Sequence, residues 1–208
     1  MGRPSKPLLS TDRIAGAAMD LVNTTGGFTV PELARALKVS PSSLYNHVSG
    51  REQIVELLRE RAMSEVAVGA DDASRPWTAV VAGIMRSYRQ SYARYPRLIP
   101  LLTAHAVNSD HAISMYNVLA VTFGRAGFDP ADTLRAITLV DAFVLGSALD
   151  VAAPDEPWQN SAEVGPELAA ALATGNAKPE RADDAFEFGM AVLLRGLAAI
   201  RSDASGQL

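Results

Sequence analysis

Apolar positions recur at helical spacing near the start of the chain. In residues 12–24 the apolar side chains fall on one face of a helix with about 3.6 residues per turn. They are Ile14, Ala17, Ala18, Leu21 and Val22. Ser10 or Thr11 is a candidate N-cap, and the pair Gly26 and Gly27 predicts the end of this helix.

Three further helices follow in the pattern. The first begins after Thr29 and the second after Ser40, which both have N-cap chemistry, and Pro41 suits a first helical turn. Gly50 then interrupts the chain before a longer helix over residues 51–68. Short helices joined by a tight turn and followed by a long helix are typical of a helix-turn-helix.

The helix after Ser40 has an unusual surface. Because Leu44 and Val48 are its apolar positions, they are expected to point inward and the other side chains outward. The outward set is Ser42, Ser43, Tyr45, Asn46 and His47. Each can donate a hydrogen bond to a phosphate oxygen or a base edge, whereas a merely solvated helix normally carries Glu and Lys. A DNA-reading surface is the favoured interpretation, and a polar surface helix of no function is the alternative.

The rest of the chain is also predicted to be helical. Apolar periodicity, caps and proline positions predict six more helices, over residues 77–92, 97–106, 111–126, 130–152, 167–173 and 179–200. Prolines and glycines make most of residues 153–180 irregular. Frequent Ala and Leu and short β-branched runs favour helix over sheet, so the expected fold class is all-α.

Two late helices carry broad apolar faces with small residues between the large ones. In the helix over 130–152 the set is Ile137, Val140, Val144, Leu145, Gly146 and Ala148. In the helix over 179–200 the set is Phe186, Gly189, Met190, Leu193, Leu194, Gly196 and Leu197. Such faces pack against other helices, either within one subunit or between two subunits.

The middle helices supply candidates for a small-molecule site, because polar groups lie next to apolar rows there. The candidates are Met85, Arg86, Tyr88, His105, Asn108, His111, Met115, Tyr116 and Phe123. Each of them taken singly also fits a role in the core or on the surface. His105 and His111 are not spaced as metal ligands on one helical face and no carboxylate cluster joins them, so no metal site is expected.

Composition narrows the classes of protein. Of the 208 residues 48% are hydrophobic and none is cysteine, which excludes disulfides and thiolate metal sites. The N-terminus lacks the apolar run of a signal peptide. The apolar segment 136–153 contains Asp141 and Asp150, so no membrane span is expected. We therefore expect a cytoplasmic protein.

The net charge of −4 hides an asymmetry. Residues 1–51 carry six Lys or Arg and three Asp or Glu, which leaves 13 basic and 20 acidic residues for positions 52–208. The first part is thus positive and the remainder negative. This suggests that only the first part meets a polyanion such as DNA.

Enzyme motifs are not found in the sequence. It has no G-x-S-x-G, P-loop, H-E-x-x-H or dinucleotide-binding fingerprint, so neither catalysis nor a cofactor is expected. A structural or interaction protein is the other alternative. It would account for the helices but not for the exposed polar surface of the third helix.

Residues 9–62 resemble the DNA-binding domain of the tetracycline-repressor (TetR) family. The specific match is Thr29, Leu33-Ala34, Leu37, Val39-Ser40 and the run Ser43-Leu44-Tyr45-Asn46-His47-Val48, followed by the basic residue Arg51. The resemblance implies an all-α transcriptional regulator, usually a repressor. It would bind palindromic operator DNA as a dimer, paired through the two late helices, and a small-molecule effector would release it.

The resemblance also implies which residues bind DNA. Thr29 at the start of the second helix and Arg51 at the start of the fourth would bind phosphates. The recognition helix would enter the major groove with residues 41–43, and Tyr45 and His47 would hold the DNA backbone. The full predicted set is Thr29, Ser40, Pro41, Ser42, Ser43, Tyr45, Asn46, His47 and Arg51.

The implied organisation has five segments. They are a flexible basic arm (1–8), a helix-turn-helix domain (9–50), a connecting helix (51–68), a ligand-binding and dimerisation domain (69–201) and a disordered tail (202–208). Pro31 departs from the family pattern, because tetracycline repressors carry at that position an arginine that reads a base. The operator of this protein is therefore expected to differ from theirs.

Overall fold

The computed structural model describes residues 9–68, 74–154, 156–158, 163–175 and 180–205. Within these ranges it contains α-helices and a 3-10 turn at Pro96–Leu98, and no strand. The helices are α1 (Thr11–Thr25), α2 (Val30–Leu37), α3 (Pro41–Tyr45), α4 (Arg51–Met63), α5 (Trp77–Ala93), α6 (Ile99–Thr103), α7 (Asp110–Arg125), α8 (Pro130–Asp150), α9 (Pro166–Gly175) and α10 (Arg181–Ser205). The predicted all-α class is confirmed for the part of the chain that the structure describes.

Local chemistry explains the limits of α1. Ser10 is the N-cap, and its hydroxyl accepts a hydrogen bond from the Arg13 N–H at 3.3 Å. Gly26 ends the helix in the left-handed conformation at φ 82°, and its N–H donates to the Val22 carbonyl at 2.8 Å. Glycine suits that position because it has no Cβ to meet the following carbonyl.

A tight turn joins α2 to α3. Lys38 takes the left-handed conformation at φ 58°, and its N–H donates to the Arg35 carbonyl at 3.1 Å. Ser40 then caps α3. Leu33 of α2 and Leu44 of α3 are fully buried in the shared apolar core, where each contributes about 2 kcal/mol by leaving water. The turn and the core together give the predicted helix-turn-helix arrangement.

The connecting helix α4 is shorter than the predicted range 51–68, because it ends at Met63. Tight turns follow it and bury Val66 at 7% exposure. The Ala67 N–H then donates to the Ser87 hydroxyl of α5 at 2.6 Å. Tertiary contacts therefore end a helix that the apolar period alone would continue.

The C-terminal helices pack around α5, which contacts α4, α7 and α8. Its inward face is buried at Val81, Met85 and Tyr92. The single helix predicted over residues 97–106 is divided, because Pro96 starts the 3-10 turn and α6 follows as one short helix. This division leaves the segment after α6 free to lie against α4.

Part of each predicted apolar face of α8 and α10 is buried, and the rest is partly or fully exposed. Their buried members are Val140, Val144, Ala148, Phe186, Met190 and Leu197. A Cβ on Gly189 of α10 would lie 2.6 Å from the Phe143 ring of α8, so the two helices approach closely at that glycine. The buried members of the two faces pack within one subunit, and pairing with a second copy through these two helices stays a prediction.

A second apolar set on α8 and α10 stays exposed. It comprises Leu134, Leu139, Leu149, Phe188, Val192 and Ile200. The most exposed is Phe188, at 74%. The sequence pattern does not separate this outward set from the inward faces, because apolar residues of both sets recur along the same two helices.

The chain ends differ from the predicted segments. Helix α10 continues to Ser205, although residues 202–208 were expected to be a disordered tail. The predicted basic arm, residues 1–8, lies outside the described residues. Among the helices described, none combines the length and the apolar character needed to cross a bilayer.

Candidate functional site

The outward face of α3 is polar and lies directly over a buried apolar pair. Leu44 and Val48 are 0% and 3% exposed, whereas Tyr45 is 55% exposed. Asn46 and His47 are exposed as well. The predicted inward and outward positions of these five residues are confirmed, and three hydrogen-bonding side chains project from the surface at the end of α3.

Three serine hydroxyls meet at the start of α3. The Ser40 Oγ lies 2.8 Å from the Ser42 Oγ and 2.8 Å from the Ser43 Oγ. It also accepts a hydrogen bond from the Ser43 N–H at 3.3 Å. Pro41 and Ser42 are exposed, and Ser43 is partly buried. The hydrogen bonds within the cluster therefore fix the directions of its hydroxyl groups.

Thr29 is engaged with Glu32 at the start of α2. Its N–H and hydroxyl donate to the Glu32 Oε2 at 2.8 and 2.7 Å, and its Oγ1 accepts from the Glu32 N–H at 3.3 Å. This capping box satisfies two donors at the helix end. The hydrogen bonds from Thr29 lower the pKa of Glu32. A phosphate contact by the Thr29 hydroxyl would therefore compete with Glu32 for its proton.

Arg51 begins α4 beside the helix-turn-helix. Its guanidinium carbon lies 5.3 Å from the centroid of the Phe28 ring, in a cation–π contact. Its Nη1 lies 3.3 Å from the Nε2 of His105, in the turn after α6. Gly50 precedes α4 without a capping side chain. The guanidinium and the positive end of the helix dipole both favour an anion at this place.

A row of α4 side chains binds the segment between α6 and α7. Arg59 is only 6% exposed, and its Nη2 donates to the carbonyls of Leu102 at 2.9 Å and His105 at 3.2 Å. Its Nε donates to Glu56 at 3.1 Å. Glu56 in turn accepts the Asn108 N–H at 2.8 Å. These bonds fix the end of α6 against α4.

Glu60 makes the next contact along the same face of α4. Its carboxylate accepts the Ser109 hydroxyl at 2.5 Å and the His111 N–H at 3.1 Å, and it also contacts the His111 ring. Burial raises the pKa of Glu60, but the hydrogen bonds from Ser109 and His111 outweigh burial, so the pKa is lowered. The ionised form of Glu60 therefore stabilises the junction between α4 and α7.

Two tyrosine hydroxyls share one carboxylate among the C-terminal helices. Tyr88 and Tyr116 donate to the same Oδ1 of Asp141, at 2.8 and 3.0 Å. Burial is the main reason that the pKa of both phenols is raised, so both remain hydrogen-bond donors. Tyr92 packs edge-on against Tyr88 with ring centroids 4.9 Å apart. This group is a polar centre within largely apolar surroundings.

The other predicted ligand residues are divided between the core and the surface. Met85, Met115 and Phe123 are fully buried. Arg86 is exposed, and its Nε and Nη2 donate to the Glu187 carboxylate of α10 at 2.7 and 2.6 Å. The first three residues thus line the apolar interior, whereas Arg86 ties α5 to α10 from outside.

The three remaining candidates lie at the junction with α4. His105 and Asn108 line a cleft of about 790 Å³ between α4 and the segment after α6. His111 is exposed and contacts Glu60. Among the residues that the structure describes, no group of three or more His, Asp or Glu side chains is placed to hold a metal ion.

Three residues that matter here were not among the predicted site residues. Asp141 could have been singled out from the sequence as a site residue, because it is a single acid within an otherwise apolar stretch of α8. Arg59 and Glu60 could not have been singled out, because their partners at the end of α6 and the start of α7 lie more than forty residues away. Sequence spacing identifies neighbours on one helix and not such distant partners.

The matches with known proteins agree with this geometry. Residues 70–201 match the family model of the tetracyclin repressor-like C-terminal domain. The chain belongs to the TetR family. The tetracycline repressor protein class A from transposon 1721 of Escherichia coli is 30% identical to it over 209 residues, covering 93% of this chain and 92% of that protein. The resemblance seen in residues 9–62 is confirmed, and the chain is a helix-turn-helix transcriptional regulator of this family.

Two proteins of known structure share this fold over almost their whole length. ActR from Streptomyces coelicolor, solved in complex with actinorhodin, has a TM-score of 0.74 and 21% identity, covering 94% of this chain and 99% of that chain. BioQ, solved with its double-stranded DNA operator, has a TM-score of 0.66 and 21% identity, covering 92% of this chain and 99% of that chain. At such identities the likeness establishes the fold alone.

The hydrogen bonds to Glu60 should make the stability of this TetR-family protein depend on pH. Its pKa is lower in the folded protein than the ordinary value of 4.5, so its contribution is fully present above that value and is lost as pH falls through the folded-state pKa. Glu60→Gln should therefore show a shallower loss of unfolding free energy between about pH 5 and pH 3, measured by urea denaturation.

Glu167→Gln is the matched control, because it makes the same change at an exposed position of α9. It should keep the acid sensitivity of the wild type. If Glu60→Gln also kept that sensitivity, the stabilising role of the ionised Glu60 would be contradicted.

Proposed function

We propose that two copies of this chain bind a palindromic operator and regulate transcription, as a repressor, until a small molecule bound among the C-terminal helices releases the DNA. In this proposal the chain is a binding protein and not an enzyme. It acts in the cytoplasm, where it binds DNA. The observation that carries the proposal is the exposed set Tyr45, Asn46 and His47 beside the buried Leu44. Such side chains on a fixed helix fit base edges and phosphates.

DNA recognition would divide between the two ends of α3 and the start of α4. Ser42 and Ser43 would meet base edges in the major groove, and Tyr45 and His47 would bind the DNA backbone. Arg51 would add a phosphate contact. Every phosphate that a basic side chain neutralises releases counterions, so operator affinity should fall steeply as salt rises. BioQ, whose fold is similar, has been solved with its operator, which supports the same use of this fold.

An effector is expected at the polar centre formed by Tyr88, Tyr116 and Asp141. A largely apolar site with a few polar anchors is typical for small molecules, and the buried Met85 and Phe123 supply the apolar part. The complex of ActR with actinorhodin supports a ligand in this fold. A ligand that prefers the released form by about 3 kcal/mol would lower operator affinity about 150-fold.

The exposed apolar set on α8 and α10 favours a homodimer. Leu134 is 66% exposed, Phe188 74% and Val192 52%. Covering these side chains with the same surface of a second copy removes apolar area from water. Two-fold pairing also matches two operator half-sites about 34 Å apart.

Two substitutions, at the last residue of α3 and at its C-cap, test DNA binding. Tyr45→Ala and Asn46→Ala should weaken operator binding at least about tenfold, because each removes hydrogen bonds to DNA. Both side chains are exposed, so dimerisation and thermal unfolding should stay unchanged. Binding is measured by fluorescence anisotropy with duplexes from upstream of the protein's own gene.

Asn117→Ala is the matched control for Asn46→Ala, because Asn117 is exposed on α7, outside the DNA-binding face. It should bind with wild-type affinity. Wild-type affinity of the α3 variants, or loss of folding when Tyr45 is truncated, would contradict the assignment of α3 as the reading helix.

Charged substitutions on α10 test the dimer. Phe188→Glu and Val192→Glu should weaken self-association by at least about a hundredfold, because a carboxylate would have to be buried between two copies. Sedimentation velocity measures the change. Leu168→Glu is the control on α9, where the leucine is 50% exposed, and it should remain dimeric. A dimer that survives both α10 substitutions would contradict this interface.

A further inference from the structure

We propose that His105 is a positioning residue for DNA binding. It holds the guanidinium of Arg51 at the DNA-facing end of α4, so that the segment after α6 takes part in one phosphate contact. The inference rests on the proposed function, because it concerns how the operator is bound. From the sequence, His105 is predicted to contact the effector, and this inference assigns it a different role.

Arg51 occupies a place that is unfavourable for an arginine taken alone. It is the first residue of α4, where the helix dipole attracts negative groups and repels a cation. Its side chain is exposed, and a long exposed side chain has many rotamers to lose when it binds. Contacts that hold the guanidinium before DNA arrives would reduce both penalties.

Two contacts from different parts of the protein supply this restraint. The Phe28 ring, between α1 and α2, lies 5.3 Å from the guanidinium carbon. The Nε2 of His105 lies 3.3 Å from Nη1. Within the described ranges Arg51 has no other side-chain hydrogen bond, and the adjacent Glu52 forms no ion pair with it. Four of the five guanidinium N–H groups thus remain for phosphate oxygens.

The orientation of the His105 ring follows from its partners. Its Nδ1 lies 2.9 Å from the Leu101 carbonyl, and a carbonyl only accepts hydrogen bonds, so Nδ1 carries a proton. Nε2 is then the atom with a free lone pair. Arg51 only donates, so the pair is matched in chemistry as well as in distance. The last turn of α6 therefore sets where the acceptor for Arg51 lies.

The backbone of His105 is held separately. The buried Arg59 donates to the carbonyls of Leu102 and His105, and its Nε donates to Glu56. Glu56 lines the same cleft as His105 but is occupied by this bond. Because Arg59 and Arg51 both belong to α4, these bonds keep the Nε2 of His105 within reach of Arg51.

A double-mutant cycle tests the proposal. Operator affinity is measured by anisotropy for the wild type, Arg51→Ala, His105→Ala and the double variant. The probe is a labelled duplex that the wild type protects in footprinting upstream of its own gene. We expect His105→Ala to weaken binding about fivefold, to reduce the salt slope by up to about 0.9, and to have no further effect once Arg51 is replaced.

Three more variants separate positioning from a merely structural role. His105→Gln keeps an acceptor within reach of Arg51 and should retain most of the affinity. His105→Phe fills the space without an acceptor and should bind like His105→Ala, which keeps the test valid if the alanine variant unfolds. His111→Ala is the control, because His111 also joins α4 but through Glu60. Its effect should add to that of Arg51→Ala.

The outcomes distinguish this inference from the proposed function. Additive effects of Arg51→Ala and His105→Ala, or an unchanged affinity and salt slope in both His105→Ala and His105→Phe, would overturn the positioning role while operator binding stands. A folded wild-type protein that protects no DNA would overturn the proposed function itself.

Discussion

The buried guanidinium of Arg59 connects α4, which follows the helix-turn-helix, to the C-terminal helices. Arg59 of α4 is 6% exposed, and it is bonded to two carbonyls at the end of α6 and to the carboxylate of Glu56. Leaving a buried charge without partners costs about 3–5 kcal/mol, so α4 and the end of α6 are strongly favoured to move together. Together with the bonds of Glu60 to Ser109 and His111, this side chain therefore fixes the helix-turn-helix relative to the C-terminal helices.

The two halves are built by different means. Helix α3 is short, and its position is set by the Ser40 cap, a left-handed turn residue and the burial of Leu44 and Val48. Its outward side chains support no core, so they are available for binding. The C-terminal part is a large apolar assembly with a small polar centre around Asp141. Its specificity for a ligand would lie in those few polar atoms.

The parts that could be predicted from sequence are those governed by local chemistry. The N-caps Thr29 and Ser40 and the apolar period predict the helix-turn-helix, because each effect acts within one or two helical turns. The end of α4 at Met63 could not be predicted, since contacts with α5 decide it. The role of Arg59 was missed for the same reason, because its partners at the end of α6 are distant in sequence. Asp141 stands out as an acid in an apolar stretch, but its two tyrosine partners are distant in sequence.

The most direct test of the whole account is an anisotropy titration of the folded protein against two duplexes of equal length and composition. One carries a palindrome from the DNA upstream of the protein's own gene, and the other carries the same bases in scrambled order. Each is measured at two salt concentrations. We expect binding at least about a thousandfold tighter to the palindrome, weakening steeply with salt. Equal, weak binding to both duplexes would contradict the account.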